Sequence, residues 1–299
     1  MAIAAASSTS EEQEENDDQE AKLKIDEATE RARKEREQGD KERPHPWLRA
    51  FVRGEPHPDK KAKGGEDASM VSGCGRVLAV ADGVGGWAAR GVDPAIYSNG
   101  LMRALGRHVD QSAGQAPAEH VLESPYYYLD KAWREMQAQI IAGSTTALVV
   151  ALDEELTLQI CNVGDSALMV VRDGKVLLRT AEQQHGFNFP FQLGSRGDHV
   201  SSAQLLSLPA LPGDVLVLGT DGLWDNLYDD EVLAVLAQSS GDLAAAAQEL
   251  VRRASLVGHD PSAFSPFAKH SAGRFMGGKL DDVTVIVAVV QLGHVISRL

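Results

Sequence analysis

The sequence has little of what disulfide scaffolds and membrane proteins need. Its 299 residues include only two cysteines, Cys74 and Cys161, each beside a strand-like run, so we expect buried thiols rather than disulfides. The longest apolar run, residues 283–290, has about eight residues against the roughly 20 that span a bilayer. We therefore expect no integral membrane association.

Basic side chains are also in the minority. Lys and Arg total 29 against 43 Asp and Glu, which gives a net charge of −14. This balance repels nucleic-acid phosphates, so no nucleic acid is expected as a partner. The chain is 43% hydrophobic and 24% charged, which is the composition of a globular protein.

The first 43 residues differ in composition from the rest. Residues 11–43 carry 14 acidic and 8 basic side chains, and residues 1–43 contain almost no apolar side chain larger than Ala. Such a segment buries too little apolar surface to offset the entropy of ordering it. We predict an acidic, disordered or loosely helical tail over residues 1–43, without a complete targeting signal, and a folded domain over residues 44–299.

Short β-branched runs and helix-period stretches alternate in this domain. The runs predict strands at 76–81, 145–152, 156–162, 167–171, 215–219 and 283–290. Apolar stripes predict helices through Leu129, Trp133, Met136 and Ile140, and through Leu243, Ala247, Leu250 and Ala254. The turns at 153–155 and 172–174 are too short for helical crossovers, so we expect mainly antiparallel sheets. The aperiodic stretches 182–199 and 258–279 are long enough to suggest functional loops.

Acidic residues stand at the ends of three predicted strands. Asp82 and Asp221 follow strands, whereas Asp281 precedes the last one. In an antiparallel sheet the exit of one strand adjoins the entrance of its neighbour, so these carboxylates can converge. Converging carboxylates repel one another unless they are protonated or hold cations, and an all-oxygen site favours Mg²⁺ or Mn²⁺ over Zn²⁺.

A basic segment precedes a further acidic pair. Lys60, Lys61 and Lys63 lie just before Glu66 and Asp67. Cations beside an acidic metal site suggest an anionic substrate, since a phosphoryl group can ligate metals and pair with lysine. Each of these patterns alone is also typical of an ordinary turn.

Taken together, the motifs resemble those of the metal-dependent type 2C protein serine/threonine phosphatases over roughly residues 57–292. The matching segments, in the family's order, are Gly65-Glu66-Asp67, Val80-Ala81-Asp82-Gly83, Gly143-Ser144-Thr145-Thr146-Ala147, Asn162-Val163-Gly164-Asp165-Ser166, Thr220-Asp221-Gly222-Leu223-Trp224-Asp225 and Asp281-Asp282-Val283-Thr284. The segments at 57–60, 83–87 and 184–188 further resemble a branch with mitochondrial and plastid members.

The resemblance implies an α+β fold, an α-β-β-α sandwich of two mainly antiparallel sheets flanked by helices, with two Mn²⁺ or Mg²⁺ ions at one end. The implied metal-site residues are Asp82 as the bridging ligand, the carbonyl of Gly83, Asp221, Asp281, Glu66 and Asp67 through water, and Asp225 for a third, weaker ion. The implied reaction is direct attack of a metal-bridging water on a phosphorylated serine or threonine of a protein, without a phosphoenzyme. Ser144 and Ser166 lack a nucleophile elbow and are interpreted as structural.

Three positions depart from the family pattern. Val84 stands where many members have a histidine thought to protonate the leaving group. In the family, the segment at the position of residues 180–185 supplies a ligand of the third metal. This sequence lacks that ligand, and Glu182 is a poor substitute for it. Ala62 replaces the usual phosphate-binding arginine, so we assign that role to Lys60, with Lys61 in reserve.

Two other interpretations remain open. Residues 273–279 resemble the start of a phosphate-binding loop of an NTPase, but Leu280 follows instead of Ser or Thr and no strand precedes it. The chain could also be a catalytically impaired phosphoprotein-binding scaffold of the same fold, although keeping a repulsive acidic cluster argues against this. We expect a monomer, and the branch resemblance implies a mitochondrion or plastid.

Overall fold

The structure, a computed structural model, describes residues 44–113 and 122–293, so the predicted tail at 1–43 lies outside the described residues. The strands of the described part are β1 His45–Glu55, β2 Asp67–Val71, β3 Val77–Asp82, β4 Ser144–Thr145, β5 Ala147–Leu152, β6 Thr157–Val163, β7 Ala167–Arg172, β8 Lys175–Arg179, β9 Gln184–Gly186, β10 Phe189–Pro190, β11 Leu193–Gly194, β12 Gln204–Pro209, β13 Val215–Gly219 and β14 Val283–Gly293. The helices are α1 Pro94–Ala113, α2 Pro125–Ala138, α3 Asp221–Trp224, α4 Asp229–Gln238, α5 Leu243–Gly258 and α6 Pro266–His270, with 3₁₀ turns at Pro58–Lys63, Gly85–Arg90 and Val200–Ser202. The described residues from Pro46 to Gly293 form one compact unit.

Ten of the described strands form two five-stranded sheets. The first has the order β1-β14-β13-β7-β8 and the second β12-β6-β5-β3-β2. The pairings from β14 through β8 and from β12 through β2 are all antiparallel. At the turn between β7 and β8, Asp173 and Gly174 have φ of 51° and 72°, which suits a tight hairpin. The prediction of mainly antiparallel sheets is confirmed.

Both faces of the central strands of each sheet are buried. In β3, Val77, Ala79 and Ala81 pack against α1 and α2, whereas Leu78 and Val80 face the other sheet. The outer face of the first sheet packs on α3, α4 and α5. Because successive side chains point to opposite faces, strands covered on both sides become apolar throughout. The result is the predicted α-β-β-α sandwich.

The two predicted helical stripes differ in outcome. All four positions of the stripe on α5 are buried, as predicted. On α2, Leu129 and Met136 are buried and Trp133 is partly buried, but the inclusion of Ile140 is wrong. The helix ends at Ala138, and Ile140 lies in the following turn with φ of 54° and 89% of its surface exposed.

The strand predicted over 145–152 is two strands. β4 pairs with β11 and β5 pairs with β3, and the break falls at Thr146. There the backbone N–H of Thr146 donates to the carbonyl of Asp82, and its hydroxyl accepts from the N–H of Asp82, at 2.9 Å each. The break therefore anchors the end of β3. Cys74 and Cys161 are free thiols; Cys161 is buried as predicted, but the prediction is wrong for Cys74, which is only partly buried.

Candidate metal and phosphate site

Strand register brings the acidic residues to one end of the sandwich. Asp82, the last residue of β3, pairs directly with Asp67, the first residue of β2. In the other sheet Gly219 at the end of β13 pairs with Val285 near the start of β14, so Asp221 and Asp281 lie at the same edge. Burial and the charges of Asp221, Asp67 and Asp281 raise the pKa of Asp82 well above its ordinary value, as expected for clustered carboxylates.

Hydrogen bonds tie the two sheets together at this end. Thr220 Oγ1 donates to Asp67 Oδ2 at 2.8 Å. The buried carboxylate of Asp282 accepts from the backbone N–H of His57 at 2.7 Å and of Glu66 at 2.9 Å. Asp282 thus fixes the segment that carries the lysines and Glu66, a role that the sequence motif did not reveal.

Two glycines allow the backbones to approach closely here. A Cβ at Gly83 would lie 2.8 Å from the carbonyl oxygens of Glu66 and Pro94, and one at Gly222 would lie 1.9 Å from the carbonyl oxygen of Asp282. Only glycine fits such contacts without backbone movement. Substitution of either residue would therefore displace the neighbouring carboxylates.

Lys60 lies within the acidic cluster, as its assignment to phosphate binding requires. Its Nζ is 2.8 Å from Glu66 Oε2, 3.0 Å from Asp282 Oδ2 and 3.4 Å from Asp281 Oδ1. Burial opposes the charged form, but these carboxylates raise the pKa of Lys60 well above its ordinary value. Lys61, the reserve candidate, is exposed.

Lys279 also lies among the carboxylates, and sequence analysis missed it. Its Nζ contacts Asp221 Oδ2, and it is 3.0 Å from Asp225 Oδ2 and 3.4 Å from Asp281 Oδ2. Its side chain is only 12% exposed. Burial opposes its charge, but the three aspartates raise the pKa of Lys279 well above its ordinary value. The available signal was its position two residues before Asp281.

The carboxylates differ in how their charge is compensated. Burial, with the charge of Asp282, raises the pKa of Asp67 to about 8. Burial raises the pKa of Asp221 to about 6, although Lys279 opposes the rise. Burial acts in the same direction on Asp281, but Lys279 and Lys60 outweigh it and lower its pKa. Asp165, the fourth residue of the motif at 162–166, is buried here as well, and desolvation and the charge of Asp221 raise its pKa.

The donor atoms suit a hard divalent cation. Among the described residues, the buried oxygens that lack a hydrogen-bond donor include Asp67 Oδ1, Glu66 Oε2 and Asp165 Oδ1, and Glu66 Oε2 has only its ion pair with Lys60. Carboxylate and carbonyl oxygens are the ligands of Mg²⁺ and Mn²⁺. No three His, Cys, Asp or Glu side chains in residues 44–113 and 122–293 already form a metal cage, and the two ammonium groups lie between the carboxylates.

The remaining candidates have structural partners. Ser144 Oγ accepts from Trp87 Nε1 at 2.7 Å and donates to Gln192 at 2.6 Å, and Ser166 Oγ bonds to Thr146 Oγ1 at 2.8 Å. Val84 donates its backbone N–H to Ser144 and offers no proton donor in its side chain. These contacts agree with the structural interpretation of both serines.

A cavity of about 260 Å³ adjoins the acidic cluster. Its lining residues are Glu182, Gln184, Phe187, Asn188, Asp225, Phe267 and His270. Both aperiodic segments contribute to it, and the rings of Phe187 and Phe267 lie 5.0 Å apart. Burial raises the pKa of Glu182, which lies 3.5 Å from Arg179.

The segment 273–279 follows α6 and leads into β14, so it lacks the strand and helix of a nucleotide-binding loop.

A sheet sandwich flanked by helices, with carboxylates converging at one end, is the architecture of a metal-dependent phosphatase. The family model described as protein phosphatase 2C matches residues 51–257. Probable protein phosphatase 2C 26 of Arabidopsis thaliana is 38% identical over 265 residues, which cover 83% of this chain and 85% of that protein. Probable protein phosphatase 2C 55 of the same plant is 42% identical over 244 residues. These residues cover 79% of this chain but only 50% of that protein.

A solved structure agrees with these relatives. The X-ray structure of the photosystem II phosphatase PBCP has a TM-score of 0.74 and 34% identity, covering 82% of this chain and 99% of that chain. The chain therefore belongs to the protein phosphatase 2C family, whose members are metal-dependent serine/threonine protein phosphatases. No helix of the described residues is long and apolar enough to cross a membrane.

Proposed function

We propose that this chain hydrolyses phosphoserine and phosphothreonine in proteins with the help of two Mn²⁺ or Mg²⁺ ions. The observation that carries the proposal is the convergence of Asp82, Asp67, Asp221 and Asp281 from two sheets at one end of the sandwich. Asp82, the carbonyl of Gly83, Asp221 and Asp281 would hold the ions, with Glu66 and Asp67 acting through water. When bound, such ions stabilise charge on phosphoryl oxygens and lower the pKa of the attacking water.

The residues of the chain have separate tasks in this proposal. Lys60, held by Glu66 and Asp282, binds a phosphoryl oxygen because its partly exposed ammonium group borders the carboxylates. Asp282 positions the backbone on which Lys60 and Glu66 stand. We assign Asp225 to a third, weaker metal site. Its second ligand would be Glu182, which lines the same cavity of about 260 Å³ as Asp225. We also propose that the protein is a monomer, that it lies in a mitochondrion or plastid, and that its substrate is a phosphorylated protein.

The direct test is hydrolysis of a phosphothreonine peptide with and without Mn²⁺. We expect phosphate release that needs the metal and disappears in Asp82→Asn. The matched control is Asp173→Asn, which makes the same change at an exposed hairpin turn where asparagine also tolerates positive φ. Metal-independent release, or release equally fast in Asp82→Asn, would contradict the proposal.

The second candidate is the impaired phosphoprotein-binding scaffold, which the missing proton donor at Val84 favours. A scaffold would bind the phosphothreonine peptide without releasing phosphate at saturating Mn²⁺. If calorimetry shows binding of the phosphothreonine peptide and no phosphate is released, the scaffold function replaces the phosphatase function. ATP hydrolysis, measured in parallel, is expected to be absent.

A further inference from the structure

The carboxylates around Lys279 already share a cation that belongs to the chain itself. The ammonium group of Lys279 contacts Asp221, Asp225 and Asp281, and its side chain is almost entirely buried. All three aspartates are assigned to metal binding in the proposed function, Asp221 and Asp281 to the two main ions and Asp225 to the third, weaker site. One ammonium group and one divalent ion therefore need the same oxygens.

The main chain of Lys279 is held firmly, and its ammonium group lies over an aromatic ring as well as beside the carboxylates. The backbone N–H of Lys279 donates to Asn226 Oδ1 at 2.9 Å, and its carbonyl accepts from Asn226 Nδ2 at 2.8 Å. The ring of Phe267 lies 5.8 Å from the ammonium group and borders the adjoining cavity. An ammonium group that leaves the carboxylates can therefore keep this aromatic contact without movement of the backbone.

We propose that Lys279 is an internal counter-ion that competes with divalent metal for Asp221 and Asp281. In the metal-free protein it offsets the repulsion among buried carboxylates, which would otherwise be uncompensated. Metal binding must displace the ammonium group from these oxygens, so Lys279 weakens the metal affinity of the site. This inference rests on the proposed metal site and is independent of the substrate.

The test compares the full-length protein with Lys279→Met after a chelator has removed bound metal. Titration calorimetry with MnCl₂ should show at least about tenfold tighter binding by the variant, because its ligands no longer have an internal competitor. The melting temperature of the metal-free variant should be lower than that of the wild type. The control is Lys269→Met, which removes a lysine of the segment 258–279 whose ammonium group lies over the ring of Tyr228. It should change neither the Mn²⁺ affinity nor the melting temperature.

Unchanged or weaker Mn²⁺ binding, or an unchanged melting temperature without metal, would overturn the proposal. If Lys279→Met does not fold without metal, Lys279→Met/Asp225→Asn keeps the net charge of the wild type and is compared with Asp225→Asn alone. The double variant should then bind Mn²⁺ more tightly than the single one, and equal or weaker binding would overturn the proposal. Since no substrate is used, the result is separate from whether the chain is a phosphatase.

Discussion

The two sheets contribute carboxylates to the same site, but they compensate their charge differently. Asp67 and Asp82 form the edge of the second sheet, which we call the unpaired edge, since no described lysine or arginine forms an ion pair with either residue. Asp221, Asp225 and Asp281 form the paired edge of the first sheet, where Lys279 contacts all three. Burial raises the pKa of Asp67 to about 8. On the paired edge Lys279 opposes this effect, so the pKa of Asp221 is raised only to about 6 and that of Asp281 is lowered.

This difference shows that one acidic cluster can be stabilised in two ways. A carboxylate without a cation lowers its cost of burial by keeping a proton, and a carboxylate beside lysine stays ionised. A metal ion would therefore replace protons at the unpaired edge and ammonium groups at the paired edge. The edges should respond differently to substitution, pH and metal.

The largest effect is expected from removing single carboxylates. Asp82→Asn, Asp221→Asn and Asp281→Asn should each reduce phosphatase activity to background, because each would lose a metal ligand. Without metal, Asp82→Asn should raise the melting temperature because it removes the cost of protonating this buried carboxylate on folding. Asp221→Asn should instead lower stability by about 1–3 kcal/mol, since it breaks a contact with Lys279. Activity assays at saturating Mn²⁺ and thermal melts in chelator measure both quantities.

Full activity of any of the three variants would contradict the metal assignment. Equal shifts in melting temperature for Asp82→Asn and Asp221→Asn would remove the distinction between the edges. Asp173→Asn again provides the control.

A smaller loss is expected at Lys60, which pairs with Asp281 of the paired edge and with Glu66, the residue that precedes Asp67. A hydrogen bond to a charged group is worth about 1.5–3 kcal/mol, so Lys60→Met should lower kcat/KM on a phosphothreonine peptide by about 10- to 100-fold. The neighbouring Lys61 is exposed, and Lys61→Met should leave kcat/KM within about twofold, as surface changes usually do. Similar losses in both variants would indicate a general effect of positive charge and not a specific phosphate contact.

The unpaired edge should also make stability depend on pH. Because the pKa of Asp67 is raised from 3.8 to about 8, the folded protein retains a proton that the unfolded chain releases. The stabilisation is complete below pH 3.8 and is lost as the pH rises through about 8. The metal-free protein should therefore melt at a lower temperature at pH 8.5 than at pH 6, and Asp67→Asn should reduce this difference. An unchanged difference in Asp67→Asn would assign the pH dependence to other groups.

The smallest change is expected from restoring a proton donor beside Asp82. A general acid contributes about 10²- to 10⁴-fold and matters most for poor leaving groups such as the serine and threonine alkoxides. Val84→His should raise the rate on phosphothreonine peptides by a factor smaller than that full contribution of a general acid. It should hardly change the rate of hydrolysis of p-nitrophenyl phosphate, whose phenolate leaves without a proton. A leaving-group series would first establish that chemistry limits both rates. Equal acceleration of both substrates, or of neither, would show that another group donates the proton.

The sequence alone determined the layers of the fold and the identities of the acidic residues. Continuous apolar runs such as Val283–Val290 indicate strands covered on both faces, and the short turns at 153–155 and 172–174 require antiparallel neighbours. Asp82, Asp221 and Asp281 were identified because local order along the chain places them at strand ends. Ile140 was misassigned because the end of a helix depends on a turn conformation that the apolar period does not encode.

Only the tertiary structure decided which cations compensate these acids. Lys279 is 58 residues from Asp221 along the chain, and Lys60 is 222 residues from Asp282. No local pattern relates residues so distant. The contact of Lys279 depends on the register of β13 with β14, and that of Lys60 depends on the hydrogen bonds by which Asp282 ties one sheet to the other. Charge compensation falls off with distance in space and with exposure to solvent, and neither quantity is written in the order of the residues.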